Sequence, residues 1–531
     1  MPPMGKVRRG PHRRGMRGRG RRRDDRREDR RDDRKERDSG EVTIDPRRRI
    51  RPGQRLVRGG VITVTPQYYL TQGFAQAIER GRKVAVWSGI VGERADVVVQ
   101  HVGKNRIRAR FLATAEGAEP HPGRREPPCE KYFACGSCPM MHLDDSAQQT
   151  ARLHIMHRAL EGVGLEDLTP DTIFSFDDDA LGYRHVAKLA IGRSDRGQLR
   201  VGAYRRGTHD IVSIPECPVV TEGIRKAMRV TAHAIMDLEL GPWLPDDRDG
   251  PMRHVVLRQS RTTGEVLATI IGGWHDRAFN ELARRMTSID ANIVGVHLHI
   301  NSKRGNSIFD YGEDDEGPGF LKLAGVRTIQ EDLHGLQMNI GPGDFFQANP
   351  AMGAKLVADA LDWLEPWRDR PVVDLYSGVG AFTVPLAQAH GWALGIEAVE
   401  GATRRADDNA RRNHVGAEFV AGKVEEVFED NAERLKGRGA VVVADPARKG
   451  LEDGVLDAVF GIEPAAVLMV SCNPVAMARD LRAAVKQGWK VDRIAAYEMF
   501  PQTVHLEAMA LLLPPTAPVP SVRAPRRTVV R

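Results

Sequence analysis

Apolar and polar positions change rhythm along this chain. From Gly59 onward, short apolar runs alternate with glycine-bearing turns: "VITVT" (61–65), "KVAVW" (83–87), "ADVVVQHV" (95–102) and "RIRARFL" (106–112). Short strands at this spacing predict a small β-barrel of the oligonucleotide-binding kind. Around "AQQTARLHIMHRALEGVG" the spacing lengthens. Leu153, Met156 and Leu160 fall on one face, with Gly162 and Gly164 near the end, which predicts a helix. Strand-like runs follow in "HVAKLAIG", "LRVGAYR", "HVVLRQS", "VLATIIGG" and "GVHLHIN", and these imply an α+β domain. The last third opens as apolar strand, glycine loop, helix, apolar strand in "PVVDLYSGVGAFTVPLAQAHGWALGIEA" (371–398). It continues through "AVVVADPARKG" (440–450) and "AVLMVSCNP" to "WKVDRIAAYEMF" and "HLEAMALLL". That alternation is α/β, a Rossmann-like sheet ending in a strand pair.

Charge changes the picture at the ends. Residues 1–50 carry 20 Lys and Arg against 10 Asp and Glu, a net of +10; residues 51–531 carry 59 against 61, or −2. The arm, residues 1–57, has almost no apolar residues. It cannot bury a core and is expected to be disordered. Its Arg-Gly runs suit loose, salt-sensitive contact with RNA phosphates, or simply solubilise the chain. A Pro-rich tail, residues 514–531, is expected to be disordered as well. On the barrel, Lys104, Arg106, Arg108 and Arg110 form either a basic RNA-facing strand or a solvated one. No apolar run reaches the length of a membrane span, and no hydrophobic signal core opens the chain. A cytoplasmic protein with no membrane contact and no obligate protein partner is therefore expected.

Five cysteines in 531 residues do not make a secreted disulfide framework. In "CEKYFACGSCPMMH", Cys129, Cys135 and Cys138 give the spacing C-x5-C-x2-C, and Cys217 follows in "IPECPVV". Four thiolates can hold a cubane iron–sulfur cluster or close a tetrahedral zinc site. Zinc ribbons pair two C-x2-C knuckles and only one is present. The cluster is favoured over zinc, and a metal-free set stays open. His142, His154 and His157 lack companions at ligand spacing and read as structural.

Cys472 lies outside that set. It ends an apolar strand, directly before Asn473 and Pro474, and is either a small buried strand-end residue or a nucleophile. The glycine loop helps to decide. Gly378 and Gly380 allow close backbone approach to a ligand, and Glu397 at the next strand end can accept ribose hydroxyls. Thr383 stands where a dinucleotide fingerprint wants a small residue, and no phosphate-cradling Lys follows. The loop fits a nucleoside without pyrophosphate, S-adenosylmethionine rather than NAD. Asp445, Cys472 and Glu507 fall on the same rim. A thiol nucleophile, carboxylates and a methyl donor together suit methylation of a carbon that is not itself nucleophilic, such as C5 of uracil.

Over about residues 58–513 the chain resembles the RNA uracil-5-methyltransferase family, its iron–sulfur 23S ribosomal RNA branch in particular. "CEKYFACGSC", "GYRHVAKLAIG", "ECPVV", "GDFFQANP", "DLYSGVGAFT", "DPARKG", "VSCNPVAMARDL" and "MFPQTVHLEAM" occur in the family's order. The resemblance implies a TRAM RNA-binding domain (58–118), a central domain with the Cys cluster (119–345) and a class I methyltransferase domain (346–513). It implies a four-iron, four-sulfur cluster on Cys129, Cys135, Cys138 and Cys217. It also implies Cys472 as nucleophile, Glu507 as base and Asp445 beside them. Gln347, Tyr376, Gly378, Gly380, Glu397 and Asp445 become S-adenosylmethionine contacts. Ala381 and Lys423 depart from the family pattern at the glycine loop and the adenine side. The expected substrate is ribosomal RNA, with transfer RNA second. A non-catalytic RNA-binding or ribosome-assembly factor is the alternative of another class.

Overall fold

The computed structural model describes residues 48–517 apart from 52, 171–172, 176–179, 195, 245–249, 306 and 312–318. The arm before residue 48 and the tail beyond 517 lie outside the described residues.

Six strands make the first sheet: Val61–Val64, Tyr68–Tyr69, Ala75–Glu79, Arg82–Trp87, Ala95–Val102 and Arg106–Thr114. Side by side they run first, fifth, sixth, fourth, third, second. Alternate residues of these strands, among them Ile62, Val64, Ala77, Val84, Val86, Val97 and Ile107, meet in one core, so the sheet wraps its own interior. Two of the strands escaped the apolar pattern, because one has two residues and the other carries Gln76 and Glu79. The expected disorder of the arm does not extend to residue 57. Ile50 and Leu56 pack on this core. The Ile50 N–H donates to Val61 O at 2.9 Å, and Arg49 donates to Asp96 at 3.1 Å. The tail is likewise held where it begins, Lys490 donating to Ala517 O.

The central sheet has seven strands. In spatial order they are Ile211–Val212, Leu199–Tyr204, Val186–Arg193, Met252–Gln259, Val266–Gly272, Ile293–Ile300 and Leu321–Gly325. Among the described residues of this sheet only Val266–Gly272 and Ile293–Ile300 pair in parallel, because the helix Ala278–Ile289 crosses between them. That helix and Glu222–Asp237 cover one face, burying Ile224, Met228, Leu282 and Met286 against Leu189, Val255 and Ile270.

The third sheet carries the glycine loop and Cys472. Its strands in chain order are β1 (Val372–Leu375), β2 (Ala393–Glu397), β3 (Ala417–Ala421), β4 (Val441–Ala444), β5 (Ala466–Ser471), β6 (Lys490–Tyr497) and β7 (Glu507–Leu513). They lie in the order β3-β2-β1-β4-β5-β7-β6, with β7 antiparallel to both its neighbours. The strand order reverses between β1 and β4, which opens a crevice above their C-terminal ends. Two elements from the middle of the chain complete this sheet. Ile173–Phe174 pairs in parallel with β6 as an eighth strand. The helix Asp145–Glu161, started by Asp144 accepting from the Ala147 N–H at 2.8 Å, packs Met156 and Leu160 into its core. Among the described residues no helix is long and apolar enough to cross a membrane.

Candidate active site

The crevice above β1 and β4 is floored by the loop after β1. Tyr376, Gly378 and Gly380 all have positive φ, at 65°, 55° and 86°, so the chain turns sharply there. The Ser377 N–H donates to Ile396 O at 3.0 Å. The Gly378 N–H donates to Glu397 Oε2 at 3.0 Å, and the Val399 N–H to Glu397 Oε1 at 2.8 Å. Each carboxylate oxygen of Glu397 is thus oriented by one backbone donor and keeps a lone pair for a ligand. Burial pushes this carboxyl up, and the backbone donors hold it back. The two glycines have different reasons. Beside Gly378 the nearest atom to an added Cβ is Phe345 O at 4.0 Å, which leaves room for a ligand. At Gly380 a Cβ would sit 2.9 Å from Val384 Cγ2, so packing of the loop on the following helix also requires this glycine.

Gln347, Tyr376, Gly378 and Asp445 line one cleft, together with Phe345 and Ser377. Gly380 and Glu397 stand just behind it. Buried polar atoms without a partner surround it: Tyr376 Oη, Ser377 Oγ and Asp374 Oδ1. Such atoms cost free energy unless a ligand meets them, so the cleft fits a polar nucleoside. Asp374 and Ser377 were not picked out from the sequence. Asp374 is an acid inside an otherwise apolar strand, a signal that could have found it. It accepts from Thr383 Oγ1 at 2.5 Å, and burial pushes it up to about 7.

Replacing Glu397 with Ala removes a pre-oriented anionic acceptor. Affinity for S-adenosylmethionine should fall about ten- to a hundredfold, or about 1.5–3 kcal/mol. Unchanged binding by calorimetry removes Glu397 from the site.

The second half of the rim is set by strand register. β5 and β7 pair down to Ser471 opposite Ala508, and Glu507 pairs with Tyr497 of β6. One further step along β5 places Cys472 beside Glu507. Asp445 follows β4, its N–H directed at Leu375 O of β1 at 3.4 Å. The three side chains share one electrostatic field. Burial raises the Cys472 thiol to about 11; the charges of Glu507 and Asp445 add to this, and Arg448 opposes it. Burial and then Asp445 hold Glu507 well above the usual carboxylate range. Burial brings Asp445 to about 7. Asn473 fixes the geometry behind the thiol. Its amide donates to Arg448 O at 2.9 Å, its Oδ1 accepts from the Val475 N–H at 3.2 Å to start the helix Pro474–Lys486, and its own N–H donates to Ser471 Oγ at 3.2 Å. Arg448 donates to His505 Nδ1 at 3.3 Å, and burial with the nearby arginines lowers His505 to about 4.

Cys129, Cys135, Cys138 and Cys217 occupy one neighbourhood, all half-buried. Burial raises Cys129, Cys138 and Cys217, and the other thiols of the set push each of them further up. The Cys135 N–H donates to Lys131 O at 2.7 Å, and the residues after Cys217 bond to 182–184. Yet among the described residues no three His, Cys, Asp or Glu converge closely enough to hold a metal ion. A zinc site, with sulfurs about 2.3 Å from one point, is not formed. His142 is buried and bonded to Tyr132 Oη at 2.9 Å and Gly89 O at 3.2 Å, in keeping with a structural role.

Residues 332–514 match the sequence model of a family described as tRNA (uracil-5-)-methyltransferase. An uncharacterized RNA methyltransferase of Parasynechococcus marenigrum is 32% identical over 445 residues, 81% of this chain and 92% of its own. Another, from Gloeobacter violaceus, is 31% identical over 471 residues, 88% of this chain and 99% of its own. The chain belongs to the RNA uracil-5-methyltransferase family. It is an S-adenosylmethionine-dependent RNA methyltransferase. The fold extends to the Pyrococcus abyssi tRNA (uracil-54, C5)-methyltransferase, solved in complex with S-adenosyl-L-homocysteine. The TM-score is 0.65 at 23% identity, over 85% of this chain and 100% of that one.

In this RNA methyltransferase the resting thiol is protected by its own environment. Alkylation of Cys472 by iodoacetamide, followed by mass spectrometry, should speed up nearly tenfold per pH unit between about 7 and 9. No plateau is expected below about pH 10, because the thiol titrates near 11. Glu507→Gln removes the larger neighbouring negative charge, so the thiolate forms at lower pH and the whole profile shifts to the acid side. A wild-type plateau near about 8.5, where a free thiol titrates, contradicts this account.

Proposed function

We propose that this RNA methyltransferase methylates C5 of a uridine in 23S-type ribosomal RNA through a covalent intermediate on Cys472. The observation that carries the reading is the juxtaposition of Cys472, Glu507 and Asp445 on the rim of the cleft. S-adenosylmethionine, held by Gln347, Tyr376, Gly378, Glu397 and Asp445 with Gly380 shaping the loop, supplies the methyl group and a positive charge.

Cys472 sulfur bonds to C6 of the uracil, and electron density moves to C5, which then takes the methyl group as its bond to the donor sulfur breaks and S-adenosylhomocysteine leaves. The thiol proton has a neighbouring acceptor in Asp445, whose raised proton affinity suits it to that task. The C5 proton passes to Glu507, the C5–C6 double bond re-forms and the S–C6 bond breaks. Glu507 must be ionised to act. Arg448 on the rim and the positive charge of the methyl donor favour that form against the cost of burial. His505, neutral at physiological pH, accepts from Arg448 without adding a like charge beside it.

The cysteine set supports a four-iron, four-sulfur cluster more than zinc. The support is the spacing of the four thiols, C-x5-C-x2-C with Cys217 later, which supplies one C-x2-C knuckle where zinc ribbons pair two. The cluster's role here is to hold the loop 129–138 and the residues around Cys217 together. Residues 58–118 read as the TRAM domain and contribute RNA affinity.

Mapping of 5-methyluridine in RNA from cells lacking the protein tests the function. Loss of one site in ribosomal RNA is expected. Loss confined to transfer RNA moves the substrate to the second reading. No loss, and no labelled methyl transfer to bulk RNA, leaves a non-catalytic RNA-binding factor. Anaerobically purified protein should hold about four irons per chain and lose them with Cys135→Ser. Stoichiometric zinc overturns the cluster alone.

A further inference from the structure

The wall of the cleft that carries Gln347 has no strand partner. It is residues 341–349, between the strand Leu336–Ile340 and the helix Pro350–Leu364. Its main-chain carbonyls accept from the central domain instead. Tyr311 Oη donates to Gly343 O at 2.7 Å, and the His185 N–H donates to Ala348 O at 2.8 Å. Between them, Arg258 Nη2 donates to Asp344 O at 3.0 Å and Arg258 Nη1 to Phe346 O at 3.1 Å. One guanidinium fork thus bridges Phe345. Asp344 and Phe346 are buried, so these two carbonyls would cost free energy without a donor.

The fork decides what the wall presents. With the carbonyls on either side of it turned to Arg258, Phe345 O faces the glycine loop. It is the nearest atom to a Cβ added at Gly378, at 4.0 Å. Phe346 packs into the core, while Phe345 is 67% exposed and lines the cleft with Gln347. Arg258 belongs to the central strand Met252–Gln259. Leu257 packs in the central core, and alternation turns Val256 and Arg258 to the other face, where Val256 meets Ala348. Burial works against the charge of Arg258, and Asp344 and then Glu331 support it. The Asp344 carboxylate itself is held by Arg405 and by the Gly341 N–H at 2.6 Å. An apolar side chain here would avoid burying a cation. What the arginine adds is a rigid pair of donors.

We propose that Arg258 is a positioning residue for methyl transfer, reaching from the central domain to hold Phe345 and Gln347 at the distance from the glycine loop that S-adenosylmethionine requires. The proposal rests on the cleft being the S-adenosylmethionine site. Residue 258 lies outside 332–514, the segment matched to the family, so that segment does not complete its own cleft.

Calorimetry with S-adenosylmethionine and amide hydrogen exchange, both on the full chain, test it. Arg258→Lys keeps the charge but not the fork, and affinity should fall about tenfold; Arg258→Met loses both donors and should fall about a hundredfold. In both ligand-free variants exchange should speed up across 341–349 and stay as in wild type across β1 and β4. Leu257→Ala, on the opposite face of the same strand, is the control for stability. Its urea midpoint should drop while the folded protein binds S-adenosylmethionine as wild type does. If Arg258→Met does not fold, Arg258→Lys decides. Wild-type affinity in the Arg258 variants overturns the proposal. So does an equal loss of affinity in Leu257→Ala, which would make Arg258 a structural residue only. Gln347→Ala and Glu397→Ala separate the two readings. If both bind S-adenosylmethionine normally, the cleft reading falls and this proposal with it. If both bind weakly and the Arg258 variants bind normally, only the positioning role is lost.

Discussion

Glu507→Gln protein, incubated with RNA and methyl-labelled S-adenosylmethionine, should accumulate a protein–RNA band that survives denaturation and carries the label. The variant keeps the Cys472 nucleophile and the cleft, so addition to C6 and one methyl transfer proceed. Elimination cannot follow until the C5 proton leaves, and an amide will not take it. Turnover should fall by about 10²–10⁴-fold, as expected for loss of a positioned base, while the trapped adduct far exceeds that of wild type. Cys472→Ala should still bind RNA but give neither adduct nor product. The carboxamide also removes a negative charge beside the thiol, which favours the thiolate and makes trapping faster. Asp445 is the rival base, because it shares the same field and lies on the same rim. Asp445→Asn trapping the methylated adduct where Glu507→Gln does not would reverse the assignment. Methylation by Cys472→Ala would end the covalent mechanism.

How much of this site could be read beforehand depended on how local each signal was. Cys472 was legible because a thiol at the end of the run "AAVLMV" before Asn-Pro is a local pattern, and β5 ends at Ser471 as that pattern implies. Glu397 was legible for the same reason, as the acid that ends β2. Glu507 required more, since its place depends on β7 running antiparallel against β5, and only the register brings it level with the thiol. Gly380 also packs against Val384, four residues on, which the loop pattern alone does not show. The cysteine set was legible in spacing, while its three-dimensional relation depends on loops from two parts of the chain. Least legible was the helix Asp145–Glu161. Its apolar spacing was seen at Leu153, Met156 and Leu160, but Gln148 and Arg152, two turns and one turn before Met156 on the same side, are buried too. A polar residue in a helix reads as solvent-facing unless its partner is known. Here the partner lies 346 residues away.

That partner makes Arg152 the position outside the reaction centre where substitution should cost most. Its side chain is fully buried, and its guanidinium donates to Glu498 Oε1 at 2.5 Å, Thr503 O at 2.9 Å and Gln148 Oε1 at 3.0 Å. Gln148 in turn accepts from the Gln502 N–H at 2.9 Å and donates to Gln502 Oε1 at 3.0 Å. The network clamps residues 498–503, the segment that leads into Glu507. Arg152→Met leaves the Glu498 carboxylate buried without its cation, and breaking one side of such a pair costs about 3–5 kcal/mol. Arg152→Met with Glu498→Gln should recover most of that, because no charge is left unpaired. The pH dependence gives a second readout. Burial already raises Glu498 and Arg152 opposes this, so removing Arg152 raises it further. An acid whose folded value lies above its unfolded one gives stability that is present at low pH and lost as pH rises through the folded value. The deficit of Arg152→Met should therefore be smallest near about pH 4.5 and grow towards pH 8, read from urea midpoints. Molecules that remain folded should still turn over slowly, with hydrogen exchange faster across 498–507 and Cys472 alkylation little changed. An Arg152→Met protein within about 1 kcal/mol of wild type at pH 8, and no closer at pH 4.5, would show that the clamp does not hold the catalytic strand.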